Sequence, residues 1–312
     1  MRIVITGGAG FIGGNLCCVL AQAGHQVVAL DDLSTGQVGN LQGLDVELVE
    51  GSIVDRQLVR SVLDGADAVV HLAARGSVPR SLADPLATHE ANATGTAEML
   101  EAARLGGVGH IVVASSSSVY GANPALPKHE ELAVAPLSPY GASKLLTESL
   151  ALAYQHSFGM AVMTFRFFNV FGPLQPADHD YAAVIPRFID AALADRPVEV
   201  HGDGQQSRDF TYVGTLVNVL AESLAHRTIS PGPVNLAFGS QISLIEVLAS
   251  LEELLGHPIA RCHVAGRTGD VRHSSSDATR LLELFPDLKP VRFEDGLAKT
   301  LTWFRQSRPP TR

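Results

Sequence analysis

Tyr140 and Lys144 lie four residues apart in Tyr140-Gly-Ala-Ser-Lys144. At the start of a helix this spacing puts both on one face. An ammonium beside a phenol favours the phenolate, and any further fixed positive charge adds to the effect. A phenol made acidic in this way serves as a general base near neutral pH. Upstream, Ser115-Ser-Ser-Ser118-Val-Tyr-Gly121 closes a predicted strand. A hydroxyl there can relay a proton or orient a substrate hydroxyl. Taken alone, the Tyr–Lys spacing equally describes a core aromatic beside a solvated lysine. Joined to the serine run and to the glycine turn below, it reads as chemistry.

The first strand runs into Gly7-Gly-Ala-Gly10-Phe-Ile-Gly13 and then into a helical pattern. This is a G-x-x-G-x-x-G variant of the dinucleotide fingerprint. The turn needs a residue tolerant of positive φ, the backbone must approach a pyrophosphate, and Gly13 lets helix and strand pack closely. The helix N-terminus then offers N–H groups and a positive dipole end to phosphates. A second strand ends at Asp31, 18 residues past Gly13. An acid there accepts from the adenosine ribose hydroxyls and repels a 2′-phosphate, which favours NAD over NADP. A nicotinamide cation would in turn add to the charge acting on Tyr140. The bland alternative is a plain strand–helix turn with a surface aspartate.

These residues need a frame that sets them at one edge. Strands are predicted at Arg2–Thr6, Gln26–Leu30, Val46–Glu50, Ala68–Leu72, His110–Ala114 and Val162–Phe168. They read as continuous apolar runs, as strands of a parallel sheet covered on both faces do. Helical patterns such as Phe11–Ala23, Asn92–Leu105 and Ser143–His156 lie between them. The alternation predicts an α/β fold with a doubly wound parallel sheet and right-handed crossovers. After about Asn169 the pattern loosens, with helices at Tyr181–Ala194 and Leu244–Leu255. Pro233–Phe238 reads as a late strand returning to the sheet. The expectation is a nucleotide domain over 1–168 and, over 169–312, mainly a smaller α/β substrate lobe, with the ligand at the strand carboxyl ends.

The chain has 312 residues, 46% hydrophobic and 18% charged, enough for a sizeable core. A net charge of -9 with no Lys/Arg block argues against nucleic acid and anionic membrane as partners. Cys17, Cys18 and Cys262 suit neither a disulfide framework nor a zinc site, and the twelve histidines show no metal-ligand spacing, so no metal is expected. A reducing cytoplasm fits. No signal-peptide architecture or run of spanning length is seen.

Beyond these readings the sequence resembles the extended short-chain dehydrogenase/reductases, specifically the NAD-dependent nucleotide-sugar 4-epimerases, over nearly its whole length. The carriers are Thr6–Gly13, Asp31-Asp-Leu-Ser-Thr-Gly36, His71-Leu-Ala-Ala74, Asn92-Ala-Thr-Gly-Thr96, the serine run and Ser138-Pro-Tyr140-x-x-x-Lys144. Further along come Arg166-Phe-Phe-Asn169-Val-Phe-Gly172, Gly202-Asp-Gly204, Arg208-Asp-Phe-Thr-Tyr-Val213 and Arg267-x-Gly-Asp270. Gly76-Ser-Val-Pro-Arg-Ser81, Tyr181-Ala-Ala-Val-Ile-Pro186 and Gly269-Asp-Val-Arg-His-Ser274 are similar to bacterial UDP-N-acetylglucosamine 4-epimerases.

The resemblance implies Tyr140 as base and acid on the C4 hydroxyl. It implies Lys144 as the group that lowers its pKa, and Ser117, with Ser116 as fallback, as the catalytic hydroxyl. It implies NAD contacts from Gly7, Gly10, Phe11, Ile12, Gly13, Asp31, Ser52, Ile53, Leu72, Ala73, Ala74, Tyr140 and Lys144, the last holding the nicotinamide ribose. It implies UDP-sugar contacts from Ser77, Ser117, Ser118, Asn169, Ala183, Val184, Arg208, Arg267 and Asp270. Without the motif, Arg208 and Arg267 would pass for surface ion pairers, Asn169 for a strand-end cap and His71 for a packing histidine. One departure stands out: Gly51-Ser52 replaces the family's Gly-Asp after strand three, which weakens an adenine contact. The resemblance also implies a homodimer through helices Asp84–Leu105 and Tyr140–His156, whose stripes include Ala142, Leu145, Leu150 and Leu152.

The implied activity is interconversion of gluco and galacto UDP-sugars by transient C4 oxidation. Dehydratases of the family carry Asp-Glu before Val-Tyr-Gly, and UDP-glucuronate decarboxylases carry Glu at the second position; here stand Ser117 and Ser118. Non-catalytic NAD-binding relatives lose Tyr or Lys, and both are present. UDP-glucuronate epimerases show Arg-Pro-Asp-Met after Gly-Pro, where this chain reads Gly172-Pro-Leu-Gln-Pro-Ala-Asp178. Thr300 is expected to border the sugar pocket, where a small residue leaves room for an acetamido group.

Overall fold

The computed structural model describes residues 1–177, 182–265 and 272–307. Its first 167 residues hold β1 (Arg2–Thr6), α1 (Phe11–Gln22), β2 (Gln26–Asp31), β3 (Val46–Glu50), α2 (Arg56–Leu63) and β4 (Ala68–His71). Then come α3 (Val78–Ala83), α4 (Pro85–His89), α5 (Gly95–Leu105), β5 (His110–Ser116), α6 (Pro139–Phe158) and β6 (Val162–Phe167). The rest contributes β7 (Val170–Phe171), α7 (Val184–Leu193), β8 (Val198–His201), β9 (Ser207–Arg208), β10 (Thr211–Tyr212) and α8 (Val213–His226). It ends with β11 (Val234–Leu236), β12 (Ile242–Ser243), α9 (Leu244–Leu255), β13 (Arg261–Val264), α10 (Thr279–Leu284) and α11 (Phe293–Ser307).

Seven strands form one sheet in the order β11-β6-β5-β4-β1-β2-β3, every neighbouring pair parallel. The order reverses at β1, so the crevice beyond the β1 and β4 carboxyl ends is the expected ligand site. β4 and β5 are buried along their entire length, which explains their unbroken apolar runs. One face carries α1 and α8, with Leu16, Leu20, Leu216 and Leu220 packed on Ile3, Ile5 and Val70. The opposite face carries α2, α5 and α6, with Val59, Met99, Leu100 and Ala151 on Val4, Val69 and Val113. A third core joins α7, α9 and α11 to β8 through Phe188, Ile189, Leu248, Leu301 and Val200. The late strand narrows to Val234–Leu236 and pairs with β6, and α8 lies on the sheet's own core.

α6 starts earlier than its apolar periodicity suggests. Ser138 caps it by accepting from the Gly141 N–H at 3.1 Å, and Pro139 fills the first turn, where its missing N–H is no loss. Tyr140 and Lys144 therefore sit in its opening turns. The helix predicted from Asn92 divides into a π turn over Glu90–Thr94 followed by α5. The helix predicted from Tyr181 begins at Val184; Tyr181 lies outside the described residues.

Candidate active site

A cavity of about 500 Å³ runs along the strand carboxyl ends, within the usual range for small-molecule sites. Gly7 sits at φ +71, and a Cβ there would come within 2.8 Å of the Ala73 amide nitrogen. A Cβ on Gly13 would meet the Gly7 carbonyl oxygen at 2.1 Å. The turn after β1 is thus pressed against both α1 and the segment after β4. Gly10 is the N-cap of α1 and offers no side-chain acceptor to its first N–H groups, which leaves them for a phosphate. The buried carboxylate of Asp31 accepts from Ala9 N and Leu33 N, each at 2.9 Å. Burial raises its pKa, partly offset by those bonds. Phe11, Ile12, Ile53, Leu72, Ala73 and Ala74 also line the cavity. A glycine cradle, an uncapped helix start and a ribose-range acid together fit a dinucleotide. Ser52 does not join them: its hydroxyl accepts from Val54 N at 3.4 Å within its own turn, and Gly51 and Ile53 line the wall instead.

At the other end, Tyr140 and Lys144 share the cavity with Ser115–Ser118. Burial raises the Tyr140 phenol above its ordinary value, and the neighbouring Ser116 hydroxyl pulls it part of the way back. Of the two serines expected there, Ser116 is the one that bears on the phenol. β5 runs two residues further than its apolar stretch, so Ser116 ends the strand and Ser117 opens a short 3₁₀ turn. Ser116 also accepts from Ser118 N at 3.1 Å. Burial lowers the Lys144 ammonium to about 8, and its Nζ donates to the Ala114 carbonyl at 2.8 Å.

A buried polar chain ties the glycine turn to α6. Thr6 Oγ1 accepts from Ala73 N at 3.2 Å and meets His71 Nδ1 at 2.8 Å. His71 Nε2 meets Thr96 Oγ1 at 2.9 Å, and that hydroxyl donates to the Asn92 carbonyl at 2.5 Å. With the Thr96 proton committed to Asn92, His71 must donate from Nε2 and accept at Nδ1, the neutral imidazole. Burial, reinforced by the Lys144 charge, lowers its pKa to about 3. The Asn92 side chain accepts from Arg75 N at 2.7 Å and donates to Ser143 Oγ at 2.9 Å. Asn92, which opened one of the motifs carrying the resemblance without a role of its own, is the residue that joins this chain to α6.

Asn169 and Val170 line both this cavity and a second, about 260 Å³, which holds Ala183, Val184, Arg187 and Arg208. Ala183 and Val184 form the start of α7, which has no side-chain cap. The Asn169 amide donates to the Asp209 carbonyl at 3.1 Å. Arg208 donates to the Ser207 carbonyl at 2.9 Å. Ser77 caps α3 at φ +90, a rare conformation for a residue with a side chain, and lines the first cavity. Arg267 and Asp270 lie outside the described residues. Thr300, expected to border the sugar pocket, lines neither of these cavities. It is fully buried in α11 and donates to the Gly296 carbonyl at 2.7 Å. The helix turns that position inward toward the third core.

Fold and cleft together define a Rossmann-type protein with a dinucleotide turn and a Tyr–Lys–Ser cluster in one cavity. The profile of the NAD dependent epimerase/dehydratase family matches residues 3–237, and the chain belongs to that family. It is similar to a UDP-glucose 4-epimerase of Mycolicibacterium smegmatis, 36% identical over 317 residues covering 98% of this chain and 99% of that one. It is also similar to a UDP-N-acetylglucosamine 4-epimerase from Methanobrevibacter ruminantium, solved with UDP-N-acetylmuramic acid, at TM-score 0.93 and 33% identity over 98% of this chain and 99% of that one. A UDP-glucuronic acid 4-epimerase from Bacillus cereus, solved with UDP-glucuronic acid and NAD, superposes at TM-score 0.90 with 29% identity over 98% and 99% of the two chains. The cofactor is NAD.

Two outcomes follow. The native His71 pKa, about 3, lies below the ordinary 6.5, so between those values only the unfolded chain binds the proton. Stability should therefore fall as pH drops through 6.5 toward 3. Urea unfolding of NAD-free His71→Asn should show a flatter dependence over that window; an unchanged slope would refute the neutral buried imidazole. Thr300→Tyr should overpack the third core, costing about 1–3 kcal/mol. Hexose and N-acetylhexosamine turnover should then decline together, and a loss confined to one substrate would return Thr300 to the sugar pocket.

Proposed function

We propose that this chain is a UDP-sugar 4-epimerase that interconverts gluco and galacto configurations of UDP-N-acetylhexosamines and UDP-hexoses. The observation that carries the reading is the placement of Tyr140, one helical turn from Lys144, with Ser116 in the cavity that also contains the glycine turn. Among the described residues lining that cavity, the carboxylates are Asp31 and Asp32, at the end of β2, three strands from β5. Neither of these cavity-lining acids stands beside Ser117 and Ser118 to expel a C6 hydroxyl, and Glu148, which binds Ser115, lies behind the wall, which separates this site from a dehydratase. The sugar relatives span hexose, N-acetylhexosamine and uronate, so the choice among them rests on the turnover test below.

NAD, when bound, supplies a reversible hydride acceptor. Tyr140 takes the proton of the C4 hydroxyl while Ser116 holds the same oxygen, and Lys144 provides the positive charge that favours phenolate. Burial alone raises the phenol, so its activation depends on positive charge delivered by Lys144 and by the cofactor. After oxidation at C4 the sugar would turn its other face to the cofactor, and Tyr140 would return the proton to the C4 oxygen. That turn requires a firmly held nucleotide and a loosely held sugar. Arg208, Asn169 and the α7 start at Ala183 and Val184 anchor the UDP end in the second cavity, away from Tyr140. Arg267 and Asp270 belong to the same proposed set by resemblance. Residues beyond 168, apart from α8, β11 and α10, which pack on or join the main sheet, form the substrate lobe. The thiols of Cys17, Cys18 and Cys262 are free, in keeping with a reducing cytoplasm.

We further propose a homodimer through α4, α5 and α6. Leu82 and Leu86 are 64% and 81% exposed, and Leu146 on α6 is 38% exposed. α6 packs against both α3 and α4, so these side chains belong to one side of the molecule. A self-complementary apolar patch is what a two-fold contact needs.

Tyr140→Phe should lower epimerisation about 10²–10⁴-fold while NAD remains bound. An NMR screen of UDP-N-acetylglucosamine, UDP-glucose and UDP-glucuronate checks both the activity and the sugar. Variant activity within a few-fold of the parent would reject Tyr140 as base, and turnover of the uronate alone would replace the substrate assignment. Light scattering should give twice the 33.0 kDa chain mass at micromolar concentration; the single-chain mass would reject the dimer.

A further inference from the structure

Arg166 and Glu148 form a buried ion pair that the reaction chemistry leaves unused. Arg166 Nη2 and Nε donate to the two Glu148 carboxylate oxygens at 2.6 and 2.9 Å, and both side chains are about 95% buried. Glu148 lies one helical turn past Lys144 on α6, so the two share the face turned toward the sheet. Its Oε2 also accepts from Ser115 Oγ at 2.9 Å. Ser115 and Arg166 are register partners on β5 and β6, so their side chains leave the sheet on the same face. The backbone neighbour of Ser115, Ala114, accepts the Lys144 ammonium. On its other side the Arg166 guanidinium lies 4.7 Å from the Tyr120 ring centroid and donates to the Glu130 carbonyl at 3.4 Å. Tyr120 follows the 3₁₀ turn of Ser117–Val119, and its hydroxyl donates to Asn235 on β11 at 2.7 Å.

We propose that the Glu148–Arg166 pair is the positioning element that fixes α6 against β5 and the serine turn, and so sets the distance between Tyr140, Lys144 and Ser116. The inference rests on the roles given to those residues under the proposed function. Apolar packing alone would let a helix slide or rotate over smooth side chains. A fork-on-fork contact defines both displacement and rotation, because two parallel bonds hold in only one relative orientation. This pair, with its immediate contacts, reaches each segment that carries a reacting side chain: α6 through Glu148, β5 through Ser115, and the serine turn through Tyr120. Neither Glu148 nor Arg166 lines the cavity, so neither touches substrate or cofactor.

The test uses the full NAD-loaded chain with Glu148→Leu and Arg166→Met together. Replacing both charges leaves no uncompensated ion, and such exchanges are often neutral or stabilising, so the variant should fold. Its melting temperature and NAD content should match the parent within error. Its kcat should fall about tenfold or more with KM for the UDP-sugar within twofold, as expected when reacting groups shift by fractions of an ångström. Glu148→Asp, which keeps the charge on a shorter arm, should restore less than half of the parent kcat. A second readout needs no sugar. Phenolate absorbance of NAD-loaded protein, taken as the difference from the same chain carrying Tyr140→Phe, reports Tyr140 ionisation. In the double variant that step should move up by about one pH unit or more, as the phenol shifts away from the Lys144 ammonium that favours its ionised form. The groups that bear on it are Ser116 from β5 and Lys144 from α6. A parent-like kcat in the double variant, or an unmoved phenol titration, would overturn the positioning role. Absence of turnover in the parent would instead refute the proposed function, and the phenol titration would still decide this one.

Discussion

Parallel strands end together, and that single constraint organises this molecule. Because all seven strands of the main sheet run the same way, their carboxyl ends deliver Gly7, Asp31, Leu72, Ser116 and Asn169 to one rim. No one segment is reactive by itself. The glycine turn is a phosphate cradle only because β4 ends beside it, and Tyr140 meets a hydroxyl only because α6 begins where β5 stops. The crevice at the switch in strand order is a direct outcome of strand direction in the sheet.

The cleft is held by polar contacts that the apolar core does not supply. The Thr6–His71–Thr96–Asn92 chain links the cofactor turn to the helix bearing Tyr140. A buried carboxylate at Asp209 does comparable work on the substrate side. It accepts from Gly239 N, Ser240 N, Ser276 N and the hydroxyls of Ser240 and Ser276 at 2.7–3.2 Å. That cluster joins the loop after β11 to the turn between Arg208 and Thr211. Such groups stay buried because every lone pair is matched; removing one partner would leave an unsatisfied charge. Bonds of this kind hold only in one arrangement, whereas side chains of a purely apolar seam can repack.

The strands were legible in the sequence because burial on both faces leaves an unbroken apolar run, and four of the six predicted strands of the first 168 residues differ from the observed ones by one or two residues at one end. The glycine turn and the Tyr–Lys pair were legible because each is a local pattern with a mechanical reason. Ser116 was displaced by one because the boundary between strand and 3₁₀ turn depends on where β6 stops pairing, information that no local pattern holds. Thr300 lies away from both cavities for a related reason: which side of α11 faces inward follows from packing against α7 and α9. Glu148 and Arg166, eighteen residues apart, look like ordinary charged residues until the sheet brings them face to face. Arg267 and Asp270 remain sequence readings.

The sheet is completed by a strand that arrives late. β11 pairs with β6 through Val234↔Phe165 to Leu236↔Phe167, after the chain has passed through β7–β10, α7 and α8. During synthesis β6 therefore waits as an open edge, with the aromatic side chains of Phe165 and Phe167 and unpaired amides on its outer side. An unprotected strand edge is a template for pairing with other chains, and distant pairings form slowly because a long loop must close first. A ribosome stalled between residues 168 and 233 would hold a nucleotide-binding half with its rim largely assembled and its flank uncovered. Aggregation during expression, and any need for chaperones, would concentrate in that window of translation.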